Sequence, residues 1–454
     1  MNKEKFLIHK ENTLREALES IEENKHGIIF IADQNKQIIA MLTDGDIRRS
    51  ILEGFSLDSM AFECSNKNFF WESQGVSRER LLKKLNHQIK VIPILDEDMR
   101  LVEIVSRDYI PSQDEQSIYV QSKAPVRVSF GGGGSDLTHF FENDPGAVIN
   151  TTISLYSHCT LKKRFDNKIN IHSLDLEDSL EANDLEDALE MPKKNFGLIQ
   201  ALLKTIRPQF GFDLYIYSDF PMSSGLGGSS AVSAAILGCF NGFREDEWGL
   251  HDLAELAYQA ERLYQGVEGG WQDQYATVFG GFNFMEFKME QNIIHPLRLQ
   301  PEVMNRLENS LLLCDTTLDH HSGNIHKDQR KQMERKDIQS HVKENVELCF
   351  KMRNQLLRGM LDDFGESLNE AWDLKRKLSK EISNSHIDKI YLEAIQNGAT
   401  GGKLLGAGGG GYFIFFVNPF NRAKLIRHFK ESNVNIRPFS FESTGLITWK
   451  VRDR

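Results

Sequence analysis

Three glycine-rich segments constrain the fold of this chain most strongly, because each one adjoins a strand pattern. Residues 130–136 (FGGGGSD) end an alternating strand that starts at Ala124. Residues 222–231 (MSSGLGGSSA) follow an apolar strand and open a helix of small residues, whereas residues 401–411 (GGKLLGAGGGG) run into the apolar strand 412–417. Because glycine has no side chain, the backbone can approach a ligand closely at these positions. All three segments are therefore candidate ligand-binding loops.

The second segment has the layout of a phosphate-binding loop. A strand, a Gly/Ser loop and a helix N-terminus bring unpaired amide N–H groups and the helix dipole to an anion. Each such contact is worth about 0.3–1 kcal/mol when it is exposed. A capping role would account for one serine of this loop, not for four. We therefore predict phosphate binding by the whole loop: Ser223, Ser224, Gly225, Leu226, Gly227, Gly228, Ser229 and Ser230.

The third segment excludes two common nucleotide-binding folds. Gly406, Gly408 and Gly411 spell the dinucleotide pattern GxGxxG, but these glycines precede a strand, whereas that pattern requires them to follow one. A P-loop is excluded as well, since Leu404 follows Lys403 where Ser or Thr is required.

Two carboxylates lie between the second and third segments. Glu261 ends a helix of regular apolar periodicity, and Asp273 follows a Gly-Gly turn. Phosphoryl transfer needs a metal ligand and a group that orients the acceptor hydroxyl, and this pair could supply both. Taken alone, each acid is more often an ordinary surface carboxylate.

Residues 1–112 are predicted to form a separate α/β unit. A helix–strand–strand–helix order occurs twice with a spacing of about 60 residues, which indicates an internal duplication. The polar, turn-rich segment 111–117 follows as a linker.

The duplication resembles a pair of CBS repeats, a module that often binds adenine nucleotides in the cleft between its halves. In that family a hydroxyl residue three positions before an Asp marks the nucleotide site, and Thr43 and Asp46 match this pattern. In the second repeat Val105 precedes Asp108, so that site is expected to be damaged. A dimerisation module without a ligand is the alternative, and a homodimer is a further expectation from this resemblance.

Composition narrows the remaining function classes. The net charge of −11 disfavours nucleic-acid binding. The longest apolar run, about six residues, is far below the roughly 20 that span a bilayer. Five scattered cysteines without a CxxC pair argue against a disulfide framework and structural zinc. With no signal-peptide pattern at the start, a cytoplasmic location is expected.

In this order and spacing, the motifs APVRVSFGGGGSD, PMSSGLGGSSA, GGWQDQYA and GGKLLGAGGGGYF resemble the GHMP kinases. The resemblance covers residues 120–454 and implies an α+β fold in two parts. Residues 120–295 would form a β/α half with the ATP phosphate loop, and residues 296–454 a ferredoxin-like half. Residues 269–287 and 383–411 resemble the heptose 7-phosphate kinases within this family, enzymes of bacterial surface-polysaccharide synthesis.

The resemblance also implies roles for individual residues. The second segment would bind the phosphates of ATP, and Glu261 with Ser229 or Ser230 would bind Mg²⁺. Asp273 would act as the base or orienting group for the acceptor hydroxyl, and Arg127 would help to ionise that hydroxyl and stabilise the transferred phosphoryl group. The sugar or sugar phosphate would contact the first and third segments at Gly133, Gly134, Ser135, Asp136, Gly408, Gly409 and Gly410.

Two alternatives stay open at this point. One is a kinase for a free sugar, such as fucose or a hexose. The other is a non-catalytic nucleotide sensor with a decayed kinase fold, which the intact Arg127, Glu261 and Asp273 disfavour. Residues 319–326 (DHHSGNIH) are expected to form a substrate-facing loop, a metal cluster there being the weaker interpretation.

Overall fold

The computed structural model describes residues 3–86, 89–106, 118–192, 195–316, 325, 328, 331–332 and 335–452. Contacts divide the chain into two compact units, Met1–Gln116 and Ser117–Arg454. The predicted linker and the loop at 319–326 (Ile325 apart) lie outside the described residues. In the described ranges, no helix combines the length and the apolar character that crossing a bilayer requires.

The first unit contains the same small sheet twice. Its elements are β1 (Leu7–His9), α1 (Leu14–Asn24), β2 (Ile28–Ala32), β3 (Ile38–Thr43), α2 (Asp44–Leu52), β4 (Glu72–Ser73), α3 (Arg78–Lys84), β5 (Val91–Leu95) and β6 (Leu101–Ser106). In β1-β2-β3 and in β4-β5-β6 the first two strands are parallel and the last two antiparallel. The internal duplication is therefore present in the structure.

The strand register corrects one detail of the predicted repeat. Thr43 pairs with Ile28 at the start of β2, and Ser106 pairs with Val91 at the start of β5. Ser106, and not Val105, is thus the counterpart of Thr43, so the second repeat keeps a hydroxyl at this position. The spacing from Asp108 predicts Val105 at this position, one residue before the one that the strand register gives. Asp108 itself lies outside the described residues.

In the first repeat, Thr43 and Asp46 form a capping box at the start of α2. The Asp46 amide donates to Thr43 Oγ1 at 3.2 Å, and the Thr43 amide donates to Asp46 Oδ2 at 2.9 Å. Asp46 Oδ1 also accepts from Arg49. These contacts explain the Thr-x-x-Asp spacing by helix capping alone.

The second unit begins with a long antiparallel hairpin to which further strands and helices are added. The elements of its first half are β7 (Ile118–Gly131), α4 (Thr138–Phe141), β8 (Gly146–Lys163), β9 (Ile169–Ser173), β10 (Asp178–Ala182), α5 (Leu185–Glu190), α6 (Gly197–Ile206), β11 (Phe212–Ser218), α7 (Gly228–Asn241), α8 (Leu250–Gln259), a π-helical turn (Ala260–Tyr264), α9 (Gln272–Phe279), β12 (Phe282–Phe287) and β13 (Asn292–Pro296).

β8 is the central strand of the resulting nine-stranded sheet. Its one edge pairs with β7, and its other edge pairs with β12 near the start and with β11 near the end. Residues 146–153 are buried on both faces, since α7 and α9 pack on β8 as well as a helix of the second half. This double coverage explains the continuous run AVINTTI in place of an alternating pattern.

The second half contains α10 (Pro301–Ser310), β14 (Leu311–Asp315), α11 (Lys336–Leu357), α12 (Leu361–Leu378), α13 (Ser385–Gln396), β15 (Ala399–Leu404), β16 (Tyr412–Val417), α14 (Pro419–Glu431), β17 (Ile436–Arg437), β18 (Phe441–Glu442) and β19 (Ile447–Arg452). Its sheet has the order β15-β16-β14-β17, and all neighbours are antiparallel. This is the split βαβ arrangement of ferredoxin-like domains. The α+β fold class expected from the sequence is confirmed.

The two halves are not separated cleanly at residue 295. β18 pairs with β8, and β19 pairs with β7 over six residues, so the end of the chain joins the sheet of the first half. One continuous apolar core extends from Val120 to Val434 and includes both sheets. The halves therefore form a single folded unit around one core.

Candidate active site

A cavity of about 400 Å³ lies between the two halves of the second unit. One wall contains β7, the first glycine segment and the start of α9, and another contains the second glycine segment and the start of α7. The second half contributes α12, β15 and the start of the third glycine segment. The cavity thus brings together most of the predicted site residues.

Arg127 and Asp273 form a bidentate ion pair across the cavity floor. Nε and Nη2 of Arg127 donate to Oδ1 and Oδ2 of Asp273 at 2.8 and 2.6 Å. The Arg127 side chain is 5% exposed, and the Asp273 side chain is 22% exposed. Planar pairs of this kind fix both partners in orientation. The sequence predicted both residues, and the structure places them in direct contact.

The same pair sets the protonation state of Asp273. Burial alone would raise the pKa of this carboxyl group. The charge and hydrogen bonds of Arg127, together with Arg262 and Gln272, outweigh burial and hold the pKa of Asp273 below its usual value. Asp273 is therefore an anion at neutral pH and a weak base.

Asp136 lies beside this pair, at the end of the first glycine segment. Its carbonyl accepts from the Trp271 amide at 3.1 Å, and its Oδ2 accepts from the Gln272 amide at 3.3 Å. Burial, and then the charge of Asp273, raise the pKa of Asp136. A Cβ atom on Gly270 would lie 1.9 Å from Oδ2 of Asp136, so only glycine fits beside this carboxylate.

The second glycine segment is held against the ion pair by backbone contacts. Arg127 donates from its amide to the Leu226 carbonyl at 2.9 Å and from Nη1 to the Gly225 carbonyl at 2.7 Å. Gly227 has a φ of +77°, and a Cβ there would lie 3.3 Å from Oδ2 of Asp273. Glycine at position 227 therefore allows the segment to pass close to Asp273 just before α7 begins.

At the start of α7, the first-turn amides of Gly228, Ser229 and Ser230 have no acceptors within the helix. Amides and a helix dipole arranged in this way suit an anion, so phosphate binding by this segment remains the prediction. Of the eight predicted residues, six line the cavity: Ser223, Ser224, Gly225, Gly227, Gly228 and Ser229. Leu226 and Ser230 are fully buried.

Ser230 and Glu261 form the predicted hydroxyl–carboxylate pair. Ser230 Oγ donates to Glu261 Oε2 at 2.9 Å, and Gln274 donates to the same oxygen. Glu261 is 2% exposed and lies in the π-helical turn that continues α8. A hydroxyl and a carboxylate are ligands that Mg²⁺ accepts, and Ser229 presents a second hydroxyl on the cavity side. Among the described residues, no group of three or more His, Cys, Asp or Glu side chains could hold a metal alone.

Four predicted substrate contacts do not face the cavity. Ser135 is fully buried, and its hydroxyl donates to the carbonyls of Gly132 and Ala147, which closes the turn after β7. Gly408, Gly409 and Gly410 are absent from the cavity lining. The third segment contributes Lys403, Gly406 and Ala407 to this lining. Gly408 and Gly409 instead pack on Ile382.

The third glycine segment has a structural reason for its composition. A Cβ on Gly406 would lie 2.6 Å from the Cα of Gly225, and one on Gly411 would lie 2.5 Å from the Ser224 carbonyl oxygen. The Tyr412 amide also donates to that carbonyl. These glycines let the third segment lie directly against the second one.

Sequence analysis missed three cations that line the cavity, Arg262, Lys375 and Lys403. Lys403 is 2% exposed and donates to the Ser129 carbonyl at 2.8 Å. Lys375 is 4% exposed and donates to the carbonyls of Leu404 and Gly406. A usable signal existed for Lys375, because it continues the apolar helical stripe formed by Phe364, Leu368, Ala371 and Trp372.

Apolar side chains line the end of the cavity beside α6. They are Leu176, Leu198, Ile199, Phe220 and Val232. Next to them, Ser218 donates from its amide and hydroxyl to Asp175 at 2.9 and 2.8 Å. The cavity therefore combines an apolar end, a helix N-terminus and a group of charged side chains, the usual composition of a small-molecule site.

Lys403 makes the stability of the fold depend on pH. Burial, and then the Arg127 charge, lower the pKa of Lys403 to about 7 from an ordinary 10.5. Between these values the unfolded chain binds one proton more than the folded chain, so the unfolding free energy of the wild type rises with pH relative to that of Lys403→Met. Urea titrations of both proteins at pH 7 and pH 9 measure this difference. If the unfolding free energy of the wild type minus that of Lys403→Met stays constant or falls between pH 7 and pH 9, the assignment is contradicted.

Sequence profiles of known families match three parts of the chain. The GHMP kinases N terminal domain matches residues 193–281, GHMP kinases C terminal matches residues 352–435, and the CBS domain matches residues 1–53. The first match includes the second glycine segment, Glu261 and Asp273, and the second match includes the third glycine segment.

Individual relatives agree with these matches. The D-glycero-alpha-D-manno-heptose 7-phosphate kinase of Campylobacter jejuni is 33% identical over 341 residues, which cover 73% of this chain and 99% of the relative. The crystal structure of a D-glycero-D-manno-heptose 1-phosphate kinase from Bacteroides thetaiotaomicron is similar with a TM-score of 0.62 and 28% identity, over 74% of this chain and 100% of that one.

Galactokinase of Lactococcus lactis, crystallised with galactose, shares the fold at 18% identity with a TM-score of 0.60, over 73% of this chain and 95% of that one. Together with the site geometry, these findings confirm the resemblance seen in the motifs. The chain belongs to the GHMP kinase family and is a sugar kinase, a phosphotransferase that acts on an alcohol group, with a CBS domain at residues 1–53.

Proposed function

We propose that this kinase transfers the γ-phosphoryl group of ATP to the anomeric hydroxyl of a heptose 7-phosphate. The observation that carries the proposal is the combination of the Arg127–Asp273 pair with three further cations that line the cavity, Arg262, Lys375 and Lys403. The 33% identity to a heptose 7-phosphate kinase over nearly its whole length supports the same substrate. The product would serve the synthesis of nucleotide-activated heptose for bacterial surface polysaccharide.

ATP fits the half of the cavity formed by α6 and the start of α7. The apolar end beside Leu198 and Phe220 suits an adenine ring, and the amides of the α7 first turn suit its phosphates. Glu261 with Ser230 or Ser229 would hold Mg²⁺, which neutralises phosphate charge when it is bound. This assignment leaves the charged end of the cavity for the acceptor.

The acceptor hydroxyl would lie against Asp273. Because both carboxylate oxygens already accept from Arg127 and the pKa of Asp273 is lowered, this group orients the hydroxyl more than it removes a proton early. Phosphoryl transfer commonly has a loose transition state in which positioning and charge stabilisation dominate. Arg127 supplies the positive charge at the same place, and Asp136 offers a buried carboxylate to sugar hydroxyls.

We assign a separate role to each of the three parts of the chain. Residues 1–112 would be a regulatory or assembly module that binds an adenine nucleotide near Thr43 and Asp46 or mediates a homodimer. Residues 120–295 would bind ATP, and residues 296–454 would complete the acceptor side. The contacts of Lys375 and Lys403 support the last assignment, since both lysines belong to the second half.

Asp273→Asn is expected to lower kcat by about 10²–10⁴, the usual range for a lost general acid–base group. The amide keeps the side-chain shape but removes the charge that pairs with Arg127. Steady-state kinetics measure the effect, and Asp246→Asn, at an exposed Asp that pairs with Arg244, serves as control. Near wild-type turnover of Asp273→Asn would contradict the catalytic assignment.

Phosphorus NMR of the purified chain with ATP and Mg²⁺ tests the substrate. The panel contains heptose 7-phosphate, mannose, fucose, galactose and N-acetylhexosamines, and a new anomeric phosphate signal is expected with heptose 7-phosphate alone. Chelation of Mg²⁺ should abolish this signal. Turnover only with a free sugar would favour the free-sugar kinase, and no turnover at all would favour the nucleotide sensor.

Calorimetry of residues 1–116 with AMP and ATP tests the CBS proposal. This segment is a compact unit with apolar cores of its own. Binding that is weakened by Asp46→Ala is expected, because the carboxylate is the proposed ribose acceptor. Absence of binding would leave the capping box of α2 as the whole explanation of Thr43 and Asp46.

A further inference from the structure

Two buried lysine side chains, Lys375 and Lys403, line the cavity. In the part of the chain that the structure describes, the hydrogen bonds of Lys375 and Lys403 go only to backbone carbonyls, and neither lysine forms an ion pair. Both side chains are at least 96% buried. Burying a charge without a counter-charge is costly, and for this reason burial lowers the pKa of both lysines. An anion bound beside them would favour their protonated form.

Both lysines keep hydrogen-bond donors for such an anion. An ammonium group has three N–H donors. Lys375 uses two of them, for the carbonyls of Leu404 and Gly406, and Lys403 uses one, for the carbonyl of Ser129. The remaining donors lie on side chains that line the cavity.

The carboxylates nearby are already engaged. Asp273 accepts two hydrogen bonds from Arg127, and Asp136 accepts from the Gln272 amide. Burial, and then the charges of Lys403 and Arg127, lower the pKa of Lys375, whereas the charge of Asp136 opposes the lowering of the pKa of Lys403. An incoming dianion would supply both the missing charge and the missing acceptors.

The position of the lysines indicates which substrate brings that anion. Lys403 contacts Ser129 of β7, just before the first glycine segment. On α12, Leu378 follows Lys375 by one turn, and a Cβ on Gly134 would lie 3.4 Å from its Cδ1. The lysines thus lie beside the segment assigned to the acceptor, and they belong to the second half, whereas the phosphate loop belongs to the first.

We propose that Lys375 and Lys403 bind the phosphate group that the acceptor sugar already carries. The inference rests on the proposed function and deepens it, because it names the residues that distinguish a sugar phosphate from a free sugar. A phosphate of ATP is the other source of the same chemistry, and separate measurements with the two ligands distinguish them.

Calorimetry on the full chain tests the proposal with two ligands, heptose 7-phosphate and a non-hydrolysable ATP analogue with Mg²⁺. The variants are Lys375→Met and Lys403→Met. The control is Lys377→Met, on the exposed side of the same helix. Each test variant should raise the Kd for heptose 7-phosphate by about 10-fold or more, because it loses a hydrogen bond to a charged group. The Kd for the ATP analogue and both Kd values of the control should stay unchanged.

Three outcomes would overturn the subsite. An unchanged Kd for heptose 7-phosphate in a variant that still binds the ATP analogue removes the lysines from acceptor binding. An equal loss for the ATP analogue assigns them to the nucleotide. A wild type that binds the analogue but no sugar phosphate refutes the proposed function and this subsite with it. If Lys403→Met binds neither ligand, Lys403→Gln, which retains a donor for the Ser129 carbonyl, takes its place in the same comparison.

Discussion

The ion pair between Arg127 and Asp273 is the contact on which the site depends. Arg127 lies on the long strand β7, Asp273 lies at the start of α9, and the remaining donors of Arg127 hold the second glycine segment through the carbonyls of Gly225 and Leu226. One side chain therefore fixes a strand, a helix and the second glycine segment relative to one another. Removing either partner of a buried pair typically costs about 3–5 kcal/mol, so geometry and chemistry cannot be separated at this position.

The glycine segments show how tightly the loops around the cavity are packed. Gly227 allows the second glycine segment to pass Asp273, and Gly270 allows the chain to pass Asp136. Gly406 and Gly411 allow the third segment to contact the second. The three motifs are thus one packed assembly, and this explains why they occur together although they are far apart in the sequence.

Much of this arrangement could be predicted from the sequence, and the failures have physical causes. Periodicity and composition predicted the duplicated first unit, and they singled out the second glycine segment, Glu261 and Asp273, which the structure places in or beside one cavity. They could not tell a glycine that lines a cavity from one that packs on a neighbour, so Gly408 to Gly410 were assigned to the substrate. Such a distinction depends on contacts between segments about 180 residues apart, as between Gly225 and Gly406. Lys403 was missed for the same reason, because its burial results from packing between the two halves.

The pairing of β19 with β7 has a topological consequence. Arg452 pairs with Ile118, so the last described strand of the kinase unit ends beside its first one. The first and the last described strand of this unit are therefore neighbours in one sheet. Ile118 and Arg452 lie at the end of β7 that is opposite to the first glycine segment. A fold with adjoining ends can accept an additional module at its start without a break in its sheet or a change in its cleft. In this chain the first unit, which includes the CBS domain at residues 1–53, precedes Ile118 in the sequence.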